Sequence, residues 1–447
     1  MTSAKHNRIW IFRTSLREAI EPLVLAIVLA LAVAAFPPAQ AQTYTVLHTF
    51  TGGADGGTPA AGLTMDAAGN LYGTAYFGGL SADNCYNSRC GVVFEIQHER
   101  QSWVLKPLYA FTGDSDGGNP DAGVVFGPDG TLYGTTFAGG GVSCPSEAYY
   151  GCGIVFNLRP SPAACKSALC PWSETVLHRF AGGANDGALS GAEVAFDQAG
   201  NLYGTAYEGG YYSTECVFGD EWCGVVFELT PSNGGWIESL PHIFSGGTDG
   251  SNPNAGLVLD AAGNLYGTTY SNGSGGQGTV FELSPSGSGW EENTLHSFAY
   301  DGGGGEHPEA NLIFDPAGNL YGSTAFGSGG TRNGGVFELT PAYGGWTYTQ
   351  IYGFLGSSEE QGPRANLVMD SAGNLYGTAY SIGTYGLVFK LTPSNGGWVY
   401  TVLHQFAYGE GGNLPLGGVA LDANGNLYGT TSSGGAYGYG TLWEITP

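Results

Sequence analysis

Apolar residues in this chain fall in short runs separated by Gly, Asn, Asp and Pro, a spacing that suits short strands and excludes long helices. One phrase recurs seven times, with its tyrosine at Tyr72, Tyr133, Tyr203, Tyr266, Tyr321, Tyr376 and Tyr428, at intervals of 52 to 70 residues. Its full form is Asp260-Ala-Ala-Gly-Asn-Leu-Tyr-Gly-Thr-Thr269; only the second copy departs much, with Gly127 at the Asp position and Thr131 at the Asn position. Such self-similarity marks a repeat architecture.

Each repeat carries four apolar segments, named a to d. Segment a is Leu-Val-x-Asp, as at Leu367 to Asp370, and segment b is Asn-Leu-Tyr-Gly-Thr. The Asp-x-x-Gly-Asn between them reads as a hairpin turn whose Gly tolerates positive φ. Segment c is Val-Phe-Glu-Leu or a close variant, ending with Leu442-Trp-Glu-Ile445. Segment d closes on Phe50, Phe111, Phe180, Phe244, Phe298, Phe354 or Phe406. Both parities of b and c are apolar, so each sheet is expected to be covered on both faces.

The chain runs out of phase with its repeats, beginning on segment d at Thr45 to Phe50 and stopping on segment c at Thr441 to Thr446. A last sheet without its outer strand leaves an open edge, and the orphan first strand supplies it when the sheets form a ring. The expected fold is therefore all-β: a seven-bladed β-propeller with four antiparallel strands per blade, closed by pairing of the N-terminal strand with the last blade. Residues 42–447 form that single domain.

Residues 1–41 read as an export signal, with basic Lys5, Arg8, Arg13 and Arg17, an apolar run from Leu23 to Phe36, and Ala39-Gln40-Ala41 as the cleavage site. The apolar stretch is short of the roughly 20 residues a spanning helix needs, so a secreted or periplasmic protein without membrane insertion after cleavage is expected. The remainder carries 36 acidic and 9 basic side chains, a formal charge of −27. That field disfavours nucleic acid and anionic membrane surfaces as partners.

Eight cysteines fall as four close pairs, Cys85/Cys90, Cys144/Cys152, Cys165/Cys170 and Cys216/Cys223. In an exported chain these read as local disulfides. Zinc on the cysteines is disfavoured, because no Cys-x-x-Cys spacing occurs and no histidine lies beside a pair.

The run from Asp260 to Leu283, with its Gly-rich stretch and Gly-Thr-Val-Phe-Glu-Leu ending, resembles the Gloeo/Verruco, or GloVer, tandem-repeat family of bacterial exported proteins. The resemblance extends over essentially the whole of residues 42–447. It implies propeller-like repeats and export, and it implies no defined reaction. Members often carry a C-terminal sorting or anchoring module; with the chain ending at Pro447 on its last strand, none is expected here.

In a propeller of this connectivity the b-to-c and d-to-a loops share one face. The opposite face, built from repeated Asp-x-x-Gly-Asn and Pro-x-x-Gly-Gly-Trp turns, reads as structural. Long b-to-c loops in blades 1 to 3 hold three of the cysteine pairs and display Tyr86, Tyr149, Tyr150, Tyr211, Tyr212, Phe218 and Trp222. Aromatics on stapled loops suit a carbohydrate or extracellular protein ligand, or simply pack beneath their own loop. The same face carries Asp55, Asp116, Asp186, Asp249, Asp301, Glu360 and Glu410, which makes calcium a candidate cofactor, although the loops lack EF-hand spacing.

At the start of strand a most repeats place Gly, whereas three place Glu193, Asn311 and Asn366, a polar set that projects near the channel mouth if strand a is innermost. Such a set could hold a hard cation. The five strand-d histidines, His48, His178, His242, His296 and His404, lie one per blade and far apart around the ring, so a metal role is not expected of them; packing and hydrogen bonding is their expected role. Glu95, Glu228, Glu282, Glu338 and Glu444 on strand c fail as paired carboxylates for the same reason. No Gly-x-Ser-x-Gly elbow, His-Glu-x-x-His or phosphate loop is present. The expected function is that of a non-enzymatic, exported binding or scaffold propeller. The alternative is a metal-dependent hydrolase of lactonase type at the channel mouth.

Overall fold

Seven four-stranded antiparallel sheets account for the repeats, as the spacing predicts. The computed structural model describes residues 42–80, 85, 89–100, 102–141, 143–145, 151–160, 172–216, 221–287, 289–300, 305–327, 334–354, 362–379 and 385–447. The export signal expected at residues 1–41, and Cys165 with Cys170, lie outside them. Among the described residues no helix is long and apolar enough to cross a membrane.

Blade 4 shows the pattern: strand a is Val258–Leu259, b is Leu265–Thr269, c is Gly276–Ser286 and d is Gly289–Ala299, paired in that order. The seventh blade takes strands a, b and c from Ala420–Leu421, Leu427–Thr431 and Thr441–Thr446, and its outer strand is Thr43–Thr49 from the other end of the chain. The ring thus closes through one composite blade. Seven hydrophobic clusters fill the spaces between neighbouring blades, one per interface.

Each interface is centred on an aromatic pair. The phenylalanine that ends strand d meets the ring on strand c of the next blade: Phe50 with Phe94, Phe111 with Phe156, Phe180 with Phe227, and so on to Phe406 with Trp443, at centroid separations of 5.2 to 5.9 Å. Tilted and edge-on contacts of this kind place the positive ring edge against a negative ring face. Opposite each strand-c ring, in register across the sheet, stands the glycine of Tyr-Gly-Thr; Gly267, for instance, pairs with Phe281. A Cβ at Gly267 would lie 2.6 Å from the Phe281 ring, so glycine is there to make room for the aromatic rather than to supply unusual torsions.

The a-to-b turns are held by their aspartates. Asp66 Oδ1 accepts from the Ala68 and Asn70 amides at 2.8 and 2.9 Å, and Oδ2 accepts from the Asn70 side chain at 2.8 Å and the Tyr72 hydroxyl at 3.2 Å. Tyr72 also reaches Glu95 on strand c at 3.1 Å. The recurring strand-c glutamates are therefore tied one by one to the repeat tyrosines, as in Tyr203 with Glu228 at 2.9 Å. In the second repeat, where Gly127 replaces the aspartate, Asp129 takes over and accepts from Tyr133 at 3.2 Å. In the sixth, Lys390 stands where the glutamate would be and lies over the Tyr376 ring at 5.3 Å.

Candidate functional site

The b-to-c and d-to-a loops do share a face, and they bond to each other. Gly57 bridges Phe77, Gly118 bridges Ala138, Ser251 bridges Ser271 and Asn413 bridges Ser433, each joining a d-to-a loop to the b-to-c loop of the blade it enters. The same loops also clasp the preceding blade. At one equivalent position Thr58, Asn119, Leu189, Asn252, His307 and Leu414 adopt left-handed φ of 53 to 58°. That turn points their amides at the preceding blade's loop, where Tyr439, Cys90, Cys152, Cys223, Gln277 and Tyr385 supply the accepting carbonyls.

Three of those carbonyls belong to disulfide cysteines. Cys85–Cys90, Cys144–Cys152 and Cys216–Cys223 are formed, and no free cysteine occurs among the described residues. Cys85, Cys90, Cys152, Cys216 and Cys223 are buried. The bridges thus fasten the loops of blades 1 to 3 where the next blade docks. Disulfides of this kind fit an extracellular or periplasmic compartment.

Beyond its bridge, the blade 3 loop forms a small hairpin in which Tyr212 pairs with Trp222 and Ser213 with Glu221. The Tyr212 and Trp222 rings meet at 5.1 Å and 71°. Trp222 is half-buried, whereas Tyr211 and Tyr212 are 55% and 50% exposed. Tyr86, Tyr149, Tyr150 and Phe218 lie outside the described residues. Sequence reasoning confined the aromatic supply to blades 1 to 3 and overlooked Tyr300, Tyr385, Tyr408 and Tyr437, which are also exposed on this face. Their signal was present in the short Gly-rich loops and in the Ala-Tyr that follows Phe298 and Phe406.

At the centre of the face the seven strands a converge on a mouth of about 290 Å³. Glu193, Asn311 and Asn366, from three different blades, meet there. The Asn311 and Asn366 amides donate to Glu193 Oε2 at 2.8 and 3.2 Å, and their own Oδ1 atoms accept from the Gly256 and Asn311 backbone amides at 2.6 and 2.9 Å. On its other flank Glu193 lies against the preceding blade; a Cβ on Gly123 would fall 2.6 Å from Oε1. Burial pushes the Glu193 carboxyl up, and the two amides hold it partly back. Above this belt lie Asp121, Asn254, Glu309 and Arg364. Arg364 pairs with Glu309 at 3.4 Å. Asp121 faces the water of the mouth, yet enclosure by the walls pushes its carboxyl up to about 6. Chemically the mouth offers carboxylates, amides and one guanidinium; the side-chain oxygens of Asn311 and Asn366 are already committed to backbone donors.

The loop aspartates considered for calcium serve as turn locks. Asp249 accepts from the Ser245 amide at 2.9 Å, the Ser245 hydroxyl at 2.6 Å and His242 at 3.2 Å; Asp55 and Asp116 repeat this with Thr51 and His48, and with Thr112 and Tyr109. Asp301 and Glu360 lie outside the described residues. The strand-d histidines stay apart from one another. His404 stacks on Tyr44 at 3.8 Å and His296 on Tyr348 at 4.0 Å, each across an interface. At the blade 2 to 3 interface the arrangement differs: His178 meets Asp186 at 3.1 Å and Glu238 of the next blade at 3.4 Å.

The Gloeobacter/Verrucomicrobia repeat matches the sequence at residues 33–218, 142–384 and 211–443, overlapping spans that leave little of the ring uncovered. The chain belongs to that family. No curated protein shows significant similarity to this Gloeobacter/Verrucomicrobia repeat protein. Solved structures similar to it include a proposed 6-phosphogluconolactonase of Bacteroides uniformis, at 16% identity over 78% of this chain and 85% of that one, with a TM-score of 0.47. A proposed oxidoreductase (glucose dehydrogenase) of Thermus thermophilus has 16% identity over 90% of this chain and 99% of that one, with a TM-score of 0.40. PorZ, a surface component of the type-IX secretion system of Porphyromonas gingivalis, has 15% identity over 86% of this chain and 46% of that one, with a TM-score of 0.45. At these scores none bears on what the repeat protein does.

Proposed function

We propose that this protein is an exported, non-enzymatic binding propeller that engages a carbohydrate or an extracellular protein through the face bearing the stapled loops. The observation that carries this reading is the blade 3 hairpin, where Tyr211 and Tyr212 stand half-exposed on a loop pinned by Cys216–Cys223. Rings that cost little entropy to order are efficient contacts for sugar faces and protein surfaces. Trp222 backs them, and the sequence puts Tyr86, Tyr149 and Tyr150 on loops expected at the same face. The net negative charge favours neutral or basic ligands over anionic glycans.

The competing reading, a metal-dependent hydrolase of lactonase type at the mouth, needs several free oxygens around one ion if that ion is calcium, which takes 6–8. Both asparagine oxygens are occupied by backbone amides, which leaves Glu193 Oε1 as the open oxygen of that trio. That trio alone therefore falls short of a calcium sphere, which would need Asp121, Asn254 or Glu309 of the same mouth as well.

A neutral-glycan array and a panel of envelope proteins, probed with wild type and with Tyr211→Ala/Tyr212→Ala, test it. Loss of two stacking rings is expected to weaken binding at least about tenfold, with the melting temperature unchanged. Equal binding by both proteins would refute the site. A calcium-dependent rise in melting temperature, lost in Glu193→Ala/Asn311→Ala/Asn366→Ala, would put the hydrolase reading ahead.

A further inference from the structure

We propose that His178, Asp186 and Glu238 form a binding site for one zinc-type divalent cation, clasping the outer strand of blade 2 to that of blade 3. His178 lies on strand d of blade 2 (Ser173–Arg179), Asp186 on the loop that follows, and Glu238 on strand d of blade 3 (Gly235–Ile243). One ligand atom from each lies within 4.8 Å of the other two.

The spacing is that of a coordination sphere. Ligand atoms about 2.0 to 2.2 Å from a tetrahedral zinc stand roughly 3.3 to 3.6 Å apart. His178 Nε2 is 3.1 Å from Asp186 Oδ1 and 3.4 Å from Glu238 Oε1. One histidine cannot serve both carboxylates. The single Nε2–H can go to Asp186, and Glu238 Oε1, closed off from water, then has no neighbouring group to donate to it. It lies against the Asp186 carboxylate, with which it hydrogen-bonds only by taking up a proton. A divalent cation in place of that proton would neutralise both carboxylates. An imidazole nitrogen with two carboxylate oxygens is a donor set suited to zinc or cobalt, with the fourth position left to water. The three side chains remain 19%, 13% and 16% exposed, which gives an ion a route in.

The other interfaces show that this is not a generic feature of the repeat. Between blades 1 and 2 the histidine position holds Tyr109, bonded to Asp116. Between blades 3 and 4, His242 and Asp249 pair, but Glu292 Oε1 accepts from the Thr294 hydroxyl at 2.9 Å and has its own partner. His296 and His404 are stacked on tyrosines.

The test uses the purified protein, stripped with EDTA and dialysed against zinc, and separately against cobalt. Wild type and the control His242→Ala are expected to retain one ion per chain, with cobalt giving the visible bands of a low-symmetry site. His178→Ala and the near-isosteric Glu238→Gln are each expected to lose that retention and those bands. Melting temperatures in EDTA report folding; if His178→Ala is poorly folded, Glu238→Gln decides. Wild type without a retained ion overturns the proposal, and so does a Glu238→Gln variant that retains it unchanged.

Discussion

The glycine of each Tyr-Gly-Thr is predicted to be fixed by the ring opposite it, and Gly267→Ala tests that at one blade. The new Cβ would lie 2.6 Å from Phe281 and 2.8 Å from the Leu257 side chain. Carbon atoms prefer about 3.5 to 4.0 Å, so the ring must retreat by about 1 Å. Phe281 is fully buried, and overpacking of this size costs about 1–3 kcal/mol. Restricting the unfolded chain by exchanging Gly for Ala returns about 0.4–1 kcal/mol, which leaves a net loss of about 1–2 kcal/mol. Urea unfolding midpoints should show it, whereas Gly289→Ala, with nothing within 4 Å of its Cβ, should show no loss. In a double-mutant cycle with Phe281→Leu, the smaller side chain should absorb the methyl and give a favourable coupling of about 1 kcal/mol. Equal midpoints for Gly267→Ala and Gly289→Ala, or zero coupling, would refute the reasoning.

Three further outcomes are expected. Cys216→Ser/Cys223→Ser removes a bridge of sequence separation 7, worth about 2 kcal/mol by chain entropy; ligand binding through Tyr212 should fall while the ring stays folded by circular dichroism, and binding at wild-type strength would show that the staple does not present the tyrosines. Asn311→Ala takes an acceptor from the Gly256 amide and a donor from Glu193, and should lower stability by about 1–3 kcal/mol; no change would mean that water in the mouth replaces the side chain. In metal-free buffer, burial and the Asp116 charge push the Glu174 carboxyl up to about 7 from 4.5, so the folded chain binds this proton more tightly than the unfolded one. Stability should therefore rise as pH is lowered from above 7 toward 4.5. At lower pH it should fall, because hydrogen bonds at Asp66, Asp315 and Asp370, outweighing the opposing desolvation, hold these carboxyls below their usual range. Glu174→Gln should make the alkaline limb of a melting-temperature profile shallower, the rest of it coming from other raised carboxyls such as Glu238 and Asp121; a wild-type optimum above pH 7 would contradict the assignment.

Residues close in sequence carried most of the fold. The turn from Asp260 to Asn264 and the alternation in strands b and c are local signals that recur in the seven repeats, and the phase offset between Thr45 and Thr446 is a counting signal, so the blades and their closure are readable in the sequence. The pairing of the three described cysteine pairs was readable for the same reason. The second repeat shows the limit of such reading: with Gly127 at the Asp position the copy departs from the phrase, yet Asp129 restores the bond to Tyr133 from a position two residues along.

What the tertiary structure alone decided concerns residues brought together by the ring. The strand-c glutamates had been set aside because they lie one per blade, and only the sheet register brings each to its tyrosine. Glu193 meets Asn311 and Asn366 across 118 and 173 residues, and the direction in which those amides point depends on backbone donors supplied by a neighbouring blade. The strand-d histidines were rightly separated from one another, but His178 finds its partners on the following loop and on the next blade. Periodicity in the chain specifies which face of a strand a side chain takes; the partner it meets is set by how neighbouring blades pack against each other, which no spacing along the sequence encodes.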